Sequence, residues 1–197
     1  MKRSKEQTQS RLLEAALELF SEKGYDAVSV QTIVEAAGVG HGTVFWHFGS
    51  KEALYIEVAT RAGARFWEFV EPIVDRADSP DSMLALALAH HQFLHENPKL
   101  DLLQMSLVFE SCGPHPELLP ALEAVNSKVH KAWSTWVNRM DERGFLLDDV
   151  DRRELVHTLT AGFGAIAVTG IVHRGRDMTP SVRELVKILS RGVFKPS

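Results

Sequence analysis

Apolar residues recur at three- and four-residue intervals along almost the whole chain, and proline and glycine punctuate the runs. Over residues 12–25 Leu13, Ala16, Leu17 and Phe20 form one stripe that stops at Gly24, with Tyr25 placed to fold back on Phe20. Val30, Ile33, Val34 and Ala37 form a second stripe, behind an N-cap candidate in Ser29 and ahead of Gly38, where a left-handed turn needs no Cβ. Residues 41–48 read as a short third helix with Val44 and Phe48 inward and Gly42, Thr43, Trp46 and His47 outward. A helix that short is not stable alone, so its inner side must be held by a neighbour. Breaks at 78–80, 97–98, 112–116, 144, 174–175 and 179–180 leave further helices near 51–75, 81–96, 99–111, 116–143, 151–173 and 180–193. With no alternating strand pattern and no internal repeat, the expected fold is all-α.

Helix, glycine turn and a short helix with a polar outer face make the pattern of a DNA-reading helix-turn-helix. A hydroxyl, an indole, an imidazole and bare backbone at Gly42 face outward, and all suit close approach to a duplex. Ser50 is placed to cap the next helix, setting Lys51 and that helix's free N–H groups where a phosphate could sit. Ahead of the first helix, residues 1–11 carry Lys2, Arg3, Lys5 and Arg11 against only Glu6, the composition of a flexible arm. Two readings of it stand, a phosphate contact and a solubilising tail. The rival to DNA reading for the motif itself is a three-helix core used for protein contacts. Trp46 weighs against that rival, because an outward indole is poorly explained as plain surface.

In Leu19-Phe20, Gly24-Tyr25, Ala36-Ala37-Gly38-Val39, Gly42-Thr43-Val44, His47-Phe48 and Ser50-Lys51-Glu52-Ala53-Leu54 the chain resembles the tetracycline-repressor (TetR) family of transcriptional repressors. The resemblance covers roughly the first third of the chain. It implies a three-helix helix-turn-helix DNA-binding domain, residues 1–54, followed by a helical ligand-binding and dimerisation domain, residues 55–197. It also implies a homodimer that reads a palindromic double-stranded DNA operator through Gly42, Thr43, Trp46 and His47, with Thr43, His47 and Lys51 on phosphates. Ser29, Gln31, Thr32, His41 and Phe45 complete the expected DNA-facing set. The family usually has tyrosine where Phe45 stands and often serine or threonine at Gly40, so a hydroxyl is absent here at both positions.

Composition narrows the partners. The chain has 197 residues and a formal charge of −4, so any basic surface must be local, and even residues 1–55 are not net basic. Affinity for DNA must then rest on arranged contacts and helix ends. Cys112, the single cysteine, cannot form an internal disulfide, and no secretory signal is apparent. The apolar run 161–172 looks too short to span a membrane. A cytoplasmic protein with no membrane partner is expected.

Beyond residue 54 the chain is rich in aromatic residues and methionine, which suit a cavity for a small apolar ligand. Trp67, His90, Phe93, Met105, Phe109, Glu110, Trp133, Trp136 and Phe163 are the expected lining, with His90 and Glu110 as its polar pair. Ordinary core is the rival reading of each. His91 and His95 share a helix face, but without further ligands at metal spacing no metal site and no cofactor are expected. Ala161, Gly162, Ala165 and Thr169 let a helix backbone approach a partner closely, and Val182, Leu185, Val186 and Leu189 form an apolar stripe on the last helix. The resemblance assigns these residues to the dimer interface; packing within one chain would use the same faces. No phosphate loop, serine elbow or His-Glu-x-x-His is present, so no catalysis is expected. Two functions stand: a ligand-released dimeric repressor, and a helical small-molecule carrier or enzyme with a degenerate DNA-binding motif.

Overall fold

The computed structural model describes residues 2–173 and 176–195, apart from the side chains of Lys2, Arg3 and Ser4. Nine α-helices follow one another among the described residues: α1 (Lys2–Lys23), α2 (Val30–Ala37), α3 (Thr43–Phe48), α4 (Lys51–Arg76), α5 (Ser82–Glu96), α6 (Pro98–Ser111), α7 (Leu119–Glu142), α8 (Arg152–Val172) and α9 (Thr179–Val193). A 3-10 turn, Pro116–Leu118, precedes α7. The described residues contain no strand, only an isolated bridge between Leu146 and Phe194.

The packing divides into two units. One comprises residues 1–63 and 98–125, the other 64–97 and 126–197. Each is built from two separate stretches of chain, so packing does not divide the molecule at residue 54.

In the first unit α1 packs against α2 and α6. Leu12, Ala16 and Phe20 of α1 meet Val28, Ile33, Val34, Val44, Leu54, Leu103 and Leu107 in one buried cluster. The rings of Phe20, Tyr25 and Tyr55 fill its centre, with Tyr55 edge-on to Phe20 at 4.8 Å and Tyr25 5.0 Å from Tyr55. Tyr55 donates a hydrogen bond to Ser106 Oγ at 3.4 Å, and burial pushes its hydroxyl up to about 12. Outside this core, Lys99 of α6 pairs with Glu18 of α1.

α1 begins at Lys2, which corrects the expectation of a flexible arm before residue 12. The segment lacks glycine and proline, and the hydroxyl of Ser10 donates to Glu14 one turn on at 3.0 Å, so the first helix simply continues backward. Met1 and the side chains of Lys2 and Arg3 lie outside the described residues.

In the second unit α5 packs against α8 and α9. Trp136 is fully buried and donates from its indole to Ser82 Oγ at 2.8 Å. Arg139 donates to the carbonyls of Val74 at 2.6 Å and Ala77 at 2.7 Å, which satisfies backbone oxygens freed where α4 ends. Asp151 caps α8, accepting from the N–H groups of Arg153 and Glu154. α8, expected near 151–173, is 21 residues long, and by length and composition it could cross a membrane. This corrects the estimate that the apolar run is too short. Only 33% of its apolar window is buried.

Candidate nucleic-acid interface

Ser29 accepts from the N–H of Thr32 at 3.0 Å and starts α2. Gly38 ends it in the left-handed conformation, φ 60°, with its N–H returning to the α2 carbonyls. A Cβ at Gly38 would stand 2.7 Å from a guanidinium nitrogen of Arg11, and that guanidinium donates to the Gly38 carbonyl at 3.0 Å. Arg11 thus ties α1 to the turn before α3. α3 has six residues and begins at Thr43, so the expected helix over 41–48 loses His41 and Gly42 to the preceding turn. The N–H of Thr43 bonds to the Gly40 carbonyl at 3.0 Å, which keeps that turn tight.

Val44 is fully buried under α3, while Phe48 is only partly covered against the same core. On the other side Trp46 is 66% exposed and Phe45 52% exposed. The imidazole of His47 stands perpendicular to the Trp46 indole with centroids 4.5 Å apart, and the Lys5 ammonium lies 4.5 Å above the indole. Burial, then the nearby Lys5 charge, lower the His47 pKa. From α2, Gln31 donates to Glu35 and accepts from His41 Nδ1 at 2.5 Å. Ser29 and Thr32 share a hydroxyl hydrogen bond at 2.8 Å. Ser50 accepts from the Ala53 N–H at 3.0 Å and so starts α4. The Lys51 ammonium lies 4.1 Å over the Tyr25 ring, and burial lowers its pKa against the opposing pull of Asp26 and Glu110. Sequence reading missed the pairing of Lys5 with Trp46, because it treated the basic N-terminal segment as unstructured.

Near this surface, in the same unit, a polar cluster joins the turn after α1 to the end of α6. His115 Nε2 lies 2.8 Å from Asp26 Oδ1 and 4.0 Å from Glu110 Oε2, and Nδ1 lies 2.9 Å from Glu117. Hydrogen bonds to Glu117 and Asp26 raise the His115 pKa. The second Glu110 oxygen accepts from the Tyr25 N–H at 3.3 Å. Glu110, expected beside His90, is engaged with Tyr25 and His115 in the first unit, and His90 belongs to the second.

The expected ligand-binding residues divide in the same way. Met105 and Phe109 lie on α6 in the first unit, and Phe109 is 69% exposed. In the second unit His90 is buried edge-on to Phe66 at 5.2 Å, and Phe93 packs on Phe66 and Phe69. Trp133 stacks on Phe163 at 5.1 Å and meets Trp136 edge-on. Trp67 donates to Glu71 at 2.9 Å with Lys131 over its ring. Of the expected interface residues, Val182 and Val186 are buried within the chain, a correction explained by the close packing of α9 on α5. Leu185 and Leu189 are half-buried, as are Gly162 and Thr169, whereas Ala161 and Ala165 are exposed.

Residues 12–58 match the family model described as bacterial regulatory proteins, tetR family. The HTH-type transcriptional regulator AcrR of Shigella flexneri is 28% identical over 120 residues, 56% of this chain and 52% of that protein. The match thus spans about half the length of that relative. Among solved structures the fold is similar to the transcriptional regulator FadR from Bacillus subtilis in complex with stearoyl-CoA, with a TM-score of 0.81, 20% identity, and coverage of 93% of this chain and 98% of that one. It is also similar to the complex of SmeT with triclosan, with a TM-score of 0.80, 19% identity, and coverage of 96% of this chain and 93% of that one. SmeT is described as the repressor of a Stenotrophomonas maltophilia multidrug efflux pump. At such identities these likenesses establish the fold: an N-terminal helix-turn-helix domain followed by a helical C-terminal domain.

Proposed function

From the match of residues 12–58 to the tetR family of bacterial regulatory proteins, we propose that the chain is a cytoplasmic, dimeric transcriptional repressor of that family that releases a palindromic operator when it binds a small apolar or aromatic effector. One observation carries the DNA reading: on a six-residue helix set behind a left-handed glycine turn, Trp46 turns 66% of its surface to solvent, with Thr43, Phe45 and His47 beside it. An indole so exposed costs apolar contact with water unless a groove covers it. Residues 1–54 form the DNA-reading part and residues 55–197 the regulatory part.

The effector reading rests on the aromatic residues around His90 and Phe163, and on the ligands named for the two similar structures, both of which carry large apolar groups. The dimer reading rests on α8, whose apolar window is only one-third buried, and on Ile188 of α9, 58% exposed. A second copy laid on these faces would cover them.

Selection of bound sequences from a random DNA pool tests the proposal. A two-fold symmetric site should emerge, and Trp46→Ala should lose sequence preference at the centre of each half-site, at a cost of about 1–3 kcal/mol per half-site in specific binding. A parent that enriches no sequence would instead favour a carrier or enzyme.

A further inference from the structure

We propose that Asp26, Glu110 and His115 form a binding site for a first-row divalent cation, with zinc as the cation their donor set suits. The three donor atoms, one imidazole nitrogen and two carboxylate oxygens, all lie within 4.8 Å of one another. Ligands at about 2.0–2.2 Å from a tetrahedral zinc stand roughly 3.4 Å apart, so the 2.8 Å and 4.0 Å separations from His115 Nε2 bracket what the ion needs. Asp26 sits on the turn after α1 with its side chain 69% exposed, and can swing to close the set. The other two donors are already oriented. Glu110 is held by the Tyr25 N–H on Oε1, which leaves Oε2 facing the imidazole. His115 packs edge-on to Tyr25 at 4.8 Å, and Glu117 accepts from Nδ1 at 2.9 Å. A carboxylate on the far nitrogen is the arrangement that presents Nε2 to a metal and raises its basicity.

Charge favours the same occupant. Among the described residues, His115 is the only cation within ion-pair distance of Asp26, Glu110 or Glu117. Lys51, the nearest alternative, lies over the Tyr25 ring. Lys51 feels Asp26 and Glu110 only at longer range, so within ion-pair distance one imidazolium faces three carboxylates. A divalent ion that takes the place of the Nε2 proton supplies one more positive charge at the point where the oxygens converge. Since the donors come from the turn leading into α2, the end of α6 and the following loop, the ion would cross-link segments far apart in sequence and stabilise the folded chain.

The test is zinc titration of the full-length, chelator-treated protein against a chromogenic chelator at pH 7.5, with thermal unfolding in parallel. One zinc per chain should bind and raise Tm. Binding should weaken as the pH is lowered, because the Nε2 proton competes. His115→Ala and Asp26→Asn should each weaken binding at least about ten-fold, and Glu117→Gln about 10- to 100-fold. Asp26→Asn changes an exposed turn and guards against loss of folding as the cause. The double variant His91→Ala, His95→Ala, which alters the other histidine cluster, should bind like the parent. The proposal is overturned if zinc binds no tighter than millimolar, or if binding survives Asp26→Asn and His115→Ala unchanged.

Discussion

His90 is buried against Phe66, and burial, followed by the neighbouring His91, pulls its pKa down from 6.5 to about 4. A histidine depressed in the folded state leaves stability intact above the unfolded value and removes it as the pH falls towards the folded one. The window is therefore pH 6.5 to about 4, and the full loss is on the order of 3 kcal/mol at 1.36 kcal/mol per pKa unit. Asp101 works in the opposite sense: burial raises its carboxyl from 3.8 to about 6, so its contribution is present at low pH and lost as pH rises through 6. The two partly cancel in the parent. Urea midpoints measured from pH 7 to 4 should separate them. His90→Leu should remove the acid-side loss, so that the variant falls less than the parent on acidification, and Asp101→Asn should fall more. A His90→Leu profile parallel to the parent's would show that the imidazole is not buried neutral.

Helix boundaries were legible in the sequence because their ends carry distinctive chemistry. Ser29 and Ser50 cap α2 and α4 as side-chain acceptors, and Gly24 and Gly38 turn left-handed. Where punctuation was missing, the reading failed. Nothing in residues 2–11 announces a helix, since charge is compatible with both arm and helix, and α1 runs through it. The apolar stripe of α9 was visible, but a stripe does not say what covers it: Val182 and Val186 are buried within the chain, while Ile188, outside the expected set, stays open. The cluster at His115 had no signal at all, because its donors at 26, 110 and 115 meet only after folding. The division of α9 leads to an element-scale prediction. Ile188→Glu should yield folded monomers by light scattering, with stability within about 0.5 kcal/mol of the dissociated parent, because the site is exposed. Val182→Glu should unfold the chain by burying a charge. An Ile188→Glu protein still dimeric at micromolar concentration would move the interface elsewhere.

For the whole molecule, the proposed switch requires that effector and operator compete through the protein's conformation. Chain connectivity provides one route: α4 is a single helix from Lys51 to Arg76 that starts just after α3, and Phe66, Val70 and Val74 near its end are buried in the second unit. Trp133 lies on α7, the helix whose Arg139 holds the carbonyls at the end of α4, and we propose that a ligand displacing Trp133 or Phe163 acts on α4 through α7. In the proposed switch, a shift of α4 weakens the fit of the dimer to its operator. Linkage makes the effect reciprocal: whatever factor the ligand takes from operator affinity, the operator takes from ligand affinity, typically about 5- to 150-fold, or about 1–3 kcal/mol. The four tryptophans separate the two events. Trp46 is solvent-exposed and should respond to DNA, whereas Trp133 and Trp136 are buried against each other and should respond to ligand. In a Trp46→Phe background, a panel of apolar aromatic compounds is screened by quenching of the remaining tryptophans. The best binder is then titrated with and without selected operator. The two ligand affinities should differ by the same factor as the operator affinities measured with and without ligand. Equal ligand affinity in both titrations would show that the aromatic residues of the second unit are core alone, and that regulation enters elsewhere.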